Sequence, residues 1–170
     1  MNQTNIFVVV DIDRILPKPS VDNPGTVNNP IVITNKNDCI LMYDDKNDMH
    51  DGSGDSELIT KSKTGDLFIW SLLTKVSTND SITFARIVAD GSNNAYSVFN
   101  WCSELEYTSD YPIPHPVISN NGQKCIANVS DELINGRYSY NIIFKLIKDG
   151  EKTPFYYVFD PFVETRKESS

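Results

Sequence analysis

The stretch RYSYNIIFKLIKDGEKTPFYYVFDPFV (residues 137–163) decides the fold class, because it carries the clearest β-hairpin of the chain. An Asp-Gly turn at residues 149–150 separates two runs, residues 137–148 and 153–163, that are rich in β-branched and aromatic side chains. Pro154 falls at the start of the second run, where a strand tolerates the missing N–H. The period of two in a strand predicts one inward-facing row of side chains: Tyr138, Tyr140, Ile142, Phe144 and Leu146.

Strand signals continue outward from this hairpin. Residues 67–76 predict a strand rather than a helix, because they are rich in β-branched and aromatic residues and follow a Thr-Gly turn. Residues 82–89 form two alternating rows, Ile82, Phe84, Arg86 and Val88 against Thr83, Ala85, Ile87 and Ala89, and end at an Asp-Gly turn signal; residues 124–129 follow an Asn-Gly turn. The first apolar run, FVVV at residues 7–10, predicts a strand that is buried on both faces.

About nine short strands without a convincing amphipathic helix indicate an all-β fold. The specific prediction is an antiparallel β-sandwich of immunoglobulin-like or jelly-roll type. Residues 1–170 are expected to form a single domain, and residues 164–170 a charged tail that frays.

Composition supports the β prediction and excludes some partners. The chain has 30 Ile and Val against 13 Ala and Leu, a bias that favours sheet over helix. With 15 Lys and Arg against 23 Asp and Glu, the net charge is −8. An acidic surface without a basic patch repels phosphate backbones and anionic lipid, so we expect neither nucleic-acid nor membrane partners.

Cysteine use and the first residues indicate a reduced compartment. Cys39, Cys102 and Cys125 show no C-x-x-C spacing, and an odd number of cysteines favours plain buried thiols. No basic residue precedes the first apolar run, and Asp11 follows it, so no signal peptide is predicted. These features predict a cytoplasmic protein.

Sugar binding is one function that the composition permits. The 17 Asn and 16 Asp residues favour turns, but in β-sandwich lectins such side chains also bond sugar hydroxyls while an aromatic face stacks on the ring. The alternative is that the aromatic residues lie in the core and the Asn residues in turns. The candidate ligand-binding residues are Asn93, Asn94, Tyr96, Asn100, Trp101, Asp110, Tyr111 and His115.

Calcium binding is a second possibility, because the most polar window of the chain, residues 44–55, is rich in carboxylates. The window is not an EF-hand, since Ser56 stands where the pattern needs Gly and Ser62 where it needs the closing Glu. A solvated acidic loop is the competing interpretation. The candidate calcium ligands are Asp44, Asp45, Asp48, Asp51 and Asp55, and no other cofactor is predicted.

Catalytic signals are weak. Neither His50 nor His115 accompanies a G-x-S-x-G elbow, and no phosphate-binding loop is present. Asp11 and Asp13 are two residues apart, hence on one side of a strand end, where paired acids serve as acid and base in some hydrolases. Carboxylates at strand ends more often accept hydrogen bonds, so we predict no enzyme and no catalytic residues.

Five landmarks in order carry a family resemblance. They are FVVVDID (7–13), the Asn-Pro pairs at 23–24 and 29–30, TGD (64–66), SVFN (97–100) and FYYVFDP (155–161). Together they resemble the AidA/PixA family of bacterial inclusion-body proteins. Two departures are Phe159, where members usually carry Trp, and the acidic window at residues 44–55.

The resemblance implies a non-enzymatic protein that accumulates in cytoplasmic, sometimes crystalline, inclusions of bacteria that live with animal hosts. No catalytic residues are attached to the family. We therefore expect a self-associating homo-oligomer or lattice with a role in host association. A lectin stored in inclusions, with glycans as partners and calcium as a ligand, is the alternative, and a hydrolase using Asp11 and Asp13 is the third hypothesis.

Overall fold

Two β-sheets form the architecture of the computed structural model, which describes residues 2–45, 55–75, 79–89, 117–118, 121–130, 133 and 135–165. The first sheet has the strand order β3-β1-β5-β8-β7. Its strands are β1 (Gln3–Val10), β3 (Ile40–Asp44), β5 (Leu67–Thr74), β7 (Val117–Ile118) and β8 (Lys124–Asn128).

The second sheet has the order β2-β10-β9-β11-β4, and β6 also pairs with β9. Its strands are β2 (Ile31–Val32), β4 (Ile59–Ser62), β6 (Ser81–Ala89), β9 (Gly136–Ile147), β10 (Phe155–Phe159) and β11 (Phe162–Thr165). Helical structure in the described residues is limited to a 3-10 turn at Ile12–Arg14 and the short helix α1 (Lys36–Cys39).

The predicted hairpin is confirmed at β9 and β10, which pair antiparallel around a turn at Gly150, where φ is +77°. The second run bends at Asp160 and Pro161, so that β11 pairs with an earlier segment of β9 than β10 does. The strand β11 includes Glu164 and Thr165, two residues beyond the boundary that the charged sequence indicated.

The β-sandwich prediction is confirmed, and the sheets prove to be mixed. Three strand pairs are parallel rather than antiparallel: β1 with β5, β2 with β10, and β4 with β11. Parallel neighbours need long connections, and in each pair many residues separate the two strands in sequence.

The core lies between the two sheets. Trp70 on β5 and Tyr140 on β9 are fully buried, and their rings meet edge to face with centroids 5.9 Å apart. Four residues of the predicted inward row of β9 are fully buried, while Tyr138 is half-buried and packs against the core. Cys39 and Cys125 are buried, as predicted; Cys102 lies outside the described residues.

The prediction for β1 is wrong on one face. Its burial alternates, because Ile6, Val8 and Val10 point into the core while Phe7 and Val9 point away from it. Phe7 is 39% exposed. An apolar run without polar alternation does not distinguish a strand covered on both faces from one with an apolar outer face.

Candidate functional site

The predicted sugar-binding residues all lie outside the part of the chain that the structure describes. This holds for Asn93, Asn94, Tyr96, Asn100, Trp101, Asp110, Tyr111 and His115. The sugar-binding hypothesis therefore stays a prediction.

The predicted calcium window is described only at its two ends. Asp44 is the last residue of β3, and Asp48 and Asp51 lie outside the described residues. Asp45 accepts hydrogen bonds from the backbone N–H of Asn5, at 2.8 Å, and from the Asn5 side-chain amide. The Asp55 carbonyl accepts from the Met42 N–H at 3.0 Å, and its carboxylate accepts from the Ser56 N–H at 2.5 Å.

These hydrogen bonds connect the two described ends of the window to β1 and β3. The carboxylates of Asp45 and Asp55 both accept hydrogen bonds from protein groups. Among the described side chains, no group of three or more His, Cys, Asp or Glu is arranged to hold a metal ion. Calcium binding by the whole window stays a prediction, because Asp48 and Asp51 belong to it.

Asp11 and Asp13 do not share one side of a strand end. The strand β1 ends at Val10, and the chain turns into the 3-10 segment Ile12–Arg14 directly after Asp11. Asp11 is consequently buried, whereas Asp13 is exposed. The prediction that the two carboxylates lie on one side of a strand end is wrong, because the extended backbone does not continue to Asp13.

Asp11 instead forms ion pairs at the edge of a pocket of about 240 Å³. Its carboxylate lies 3.3 Å from Lys75 Nζ and 3.5 Å from Arg14 Nε. The pocket lining also includes Cys39 and Asp38. A carboxylate that pairs with two cations in this way supports the fold.

Cys39, in the same pocket, is a poor nucleophile. Burial, followed by the charges of Asp11 and Asp38, raises the pKa of the thiol to about 11, against a smaller opposing effect of Lys18. The thiolate is the reactive form of cysteine, so the neutral thiol at physiological pH is inert.

The outer face of the first sheet carries exposed apolar side chains. Tyr43 on β3 lies opposite Phe7 on β1, and Val9 lies between Leu41 on β3 and Leu73 on β5. Phe7, Tyr43 and Leu73 are 39%, 41% and 47% exposed. Apolar side chains in this number on an outward sheet face typically mark an interaction surface.

A sequence model of the PixA family, described as inclusion body protein, matches residues 2–165 of this chain. The chain belongs to the PixA family. The family description names no catalytic activity. No curated protein sequence shows significant similarity to this PixA-family chain.

A solved structure shows the same fold. It is the crystal structure of an inclusion body protein (PixA) from Burkholderia cenocepacia J2315, to which this chain is similar with a TM-score of 0.65 and 15% sequence identity. The match covers 96% of this chain and 95% of the other. None of the described helices is long and apolar enough to cross a membrane.

Three aspartates within the landmarks of the PixA resemblance support the fold. Asp11 binds Lys75 and Arg14, as described above. Asp66 is buried and accepts backbone N–H groups of Asn2, at 2.8 Å, and Lys63, at 3.0 Å. These acceptors fix strand ends rather than a ligand.

Asp160 has the same role at the bend between β10 and β11. Its carboxylate lies 2.6 Å from Lys36 Nζ, which also contacts Glu57 at 2.9 Å. Partial burial lowers the pKa of Lys36, but the hydrogen bonds to Asp160 and Glu57 outweigh it, and the net shift is upward. The lysine thus joins α1 to the bend, and the Asp-Pro landmark is structural.

Sequence reasoning missed the outer face of the first sheet. Apolar side chains on both faces of β1 predict complete burial, and the exposure of Phe7 contradicts this. The available signal was the scarcity of charge: among the outward positions of β1, β3, β5 and β8 that the structure describes, Lys124 is the one charged residue.

Proposed function

We propose that this protein is a non-catalytic, self-associating protein that accumulates in cytoplasmic inclusions. The observation that carries the proposal is the match of residues 2–165 to a family described as inclusion body proteins. Because the match spans both sheets, the property belongs to the whole folded domain rather than to one segment.

The geometry of the described residues supports self-association over catalysis. Asp11 is engaged by Lys75 and Arg14, and the Cys39 thiol is protonated at neutral pH. The outer face of the first sheet offers apolar contact area rather than catalytic groups. Assembly through such a face requires a native fold, which distinguishes the proposed inclusions from deposits of misfolded chains.

Cell fractionation tests the proposal directly. We expect a pelletable fraction that grows with cell density and dissolves without denaturant into protein with a β-sheet circular dichroism spectrum. A soluble β-sandwich protein expressed to the same level is the control. Protein that stays in the supernatant at high density, or a pellet that dissolves only in denaturant, would contradict the proposal.

The proposal includes a role in host association, which rests on the family resemblance. A strain that lacks the protein should be outcompeted by its parent during colonisation of an animal host. Equal recovery of the two strains would remove this part of the proposal and leave inclusion formation untouched.

Sugar binding is the alternative function, and the Asn-rich and aromatic residues between Asn93 and His115 are the sequence feature that favours it. A glycan array with calcium, and again with chelator, tests it. Signal that disappears with chelator would also implicate residues 44–55. The absence of signal above background in both conditions would reject the alternative.

A further inference from the structure

We infer that the outer face of the first sheet is a self-complementary interface through which two copies of this chain pair about a two-fold axis. The inference rests on the proposed function and adds to it the surface and the symmetry of the first contact. The face consists of the outward side chains of β1, β3, β5 and β8, and it is called the outer face below.

The strand register places the apolar side chains of the outer face near one another, with the polar Asn5 and Ser71 among them. One row across the strands contains Tyr43 and Phe7, which are directly opposite each other. The next row contains Leu41, Val9 and Leu73. Ile69 on β5 and Ile126 on β8 are also partners and extend the apolar surface towards the other edge of the sheet.

Two of the exposed side chains, Phe7 and Leu73, lie on the inner strands β1 and β5, and Tyr43 lies on the edge strand β3. The opposite side chains of the same strands, such as Ile6, Val8 and Trp70, are fully buried. Phe7, Tyr43 and Leu73 each retain about two-fifths to one-half of their surface in contact with solvent. Burial of this surface would stabilise an interface through the hydrophobic effect.

Charge identifies a second copy as the occupant. Each copy carries a net charge of −8, so two copies repel least when they approach through a surface with few acidic groups. The described outward positions of the four strands include Lys124 and no Asp or Glu. The exposed Asp45, directly after β3, is bonded to the outward Asn5 and adds one carboxylate at the edge of the face. A scarcity of charge with enrichment in aromatic residues is the composition of an interface core.

The size of the outer face fits a dimer. Its strands have eight, five, eight and five residues, and at about 4.8 Å between strands and about 3.3 Å per residue they cover roughly 400 Å². Two such faces in contact would bury on the order of 800 Å², which is the size of a weak, transient interface. The dimer is therefore expected to form and dissociate with protein concentration.

Two-fold pairing follows from the use of one surface by both copies. When the same patch meets itself, the contact is isologous and closes after two copies. The dimer is then the unit from which an inclusion grows through other surfaces.

Sedimentation velocity of matched variants tests the inference. Leu73→Glu and Tyr43→Glu place a carboxylate on the outer face, and Val32→Glu places one at a 65% exposed position of the second sheet. Wild type and Val32→Glu should sediment as dimers. The two outer-face variants should show at least a tenfold increase in dimer dissociation constant, with circular dichroism spectra that match wild type.

Several results would overturn the inference. Outer-face variants that dimerise like wild type would show that the contact lies elsewhere. A wild-type monomer at all concentrations would show that no second copy pairs there, and protection of Leu73 in that monomer would assign the face to a segment of the same chain. If one outer-face variant unfolds, the dimer dissociation constant of the other variant, compared with that of wild type, still tests the inference.

The failure of the inference is distinguishable from the failure of the proposed function. If wild type forms inclusions and the outer-face variants dimerise like wild type, the proposed function stands and this interface is rejected. Wild type that dimerises through the outer face but never pellets in cells would reject inclusion formation and retain the interface.

Discussion

Trp70 Nε1 donates a hydrogen bond of 3.1 Å to the phenolic oxygen of Tyr140, and this bond joins the two sheets in the middle of the core. Trp70 lies on β5 of the first sheet and Tyr140 on β9 of the second. Both side chains are fully buried. The pair therefore satisfies polar groups that water cannot reach and fixes the two sheets relative to each other.

Replacement of Tyr140 by Phe should lower the free energy of unfolding by about 1 to 3 kcal/mol, because the Trp70 N–H loses its buried acceptor. Urea unfolding followed by circular dichroism measures the loss. Tyr156→Phe, at a half-buried position on β10, is the control and should stay within about 0.5 kcal/mol of wild type. Equal effects of the two variants would show that the bond does not stabilise the core.

The two aspartates of the first landmark should respond differently to the same substitution. Asp11→Asn weakens the pairing with Lys75 and Arg14 and should cost about 1 kcal/mol, a modest value because both cations are partly exposed. Asp13→Asn should be neutral, since Asp13 is exposed. Thermal melting checks both variants, and a larger loss for Asp13→Asn would reject the assignment of the structural carboxylate.

Stability should fall at alkaline pH. Burial raises the pKa of Cys39 from 9.0 to about 11 and that of Tyr157 from 10.0 to about 12. Hydrogen bonds raise the pKa of Lys36 above 10.5 despite its partial burial. A group with a raised pKa binds its proton more tightly in the folded state, so its contribution is complete below the unfolded pKa and is lost as the pH rises through the folded value.

The free energy of unfolding should therefore begin to decline near pH 9.0, the ordinary pKa of a cysteine thiol, and continue to decline to about pH 12. Urea titrations at increasing pH follow this loss. In Cys39→Ser the decline should begin later, near the ordinary tyrosine value of 10.0. A wild-type profile that is flat through this window would contradict the role of these buried groups.

Two glycines with the same backbone conformation provide a matched pair. Gly150 has φ +77° and open space where a Cβ would be, so Gly150→Ala should cost about 1 kcal/mol from backbone strain alone. Gly122 has φ +71°, and a Cβ there would lie 2.6 Å from the Thr83 Cβ. Gly122→Ala should cost clearly more, and urea unfolding that ranks the two variants in the opposite order would contradict this contact.

The strands were predictable where local chemistry determines them. The hairpin of β9 and β10 has an Asp-Gly turn, a period of two and β-branched residues, and all three signals agree. The parallel pairing of β1 with β5 was not predictable, because it joins segments about 60 residues apart and leaves no local pattern. The turn after Asp11 was missed because no Gly or Pro marks it.

The candidate sites were less predictable than the strands. Which face of β1 is covered depends on the neighbouring sheet rather than on the FVVV run itself, so the exposure of Phe7 could not be read from the sequence. The sequence marks Asp11 as a carboxylate at the end of an apolar strand. It does not indicate the ion pair with Lys75, which is distant in sequence. Long-range pairs of this kind define a site and have no signature in one sequence.

Hydroxyl-radical footprinting of wild-type protein, first diluted to the monomer and then assembled, gives the sharpest test of self-association through the outer face, because it reports the solvent exposure of individual side chains without a mutation. We predict that Phe7, Tyr43 and Leu73 become protected from oxidation on assembly, while Val32 on the second sheet is protected less. Equal oxidation of Phe7, Tyr43 and Leu73 in monomeric and assembled protein would contradict the outer face as the interface.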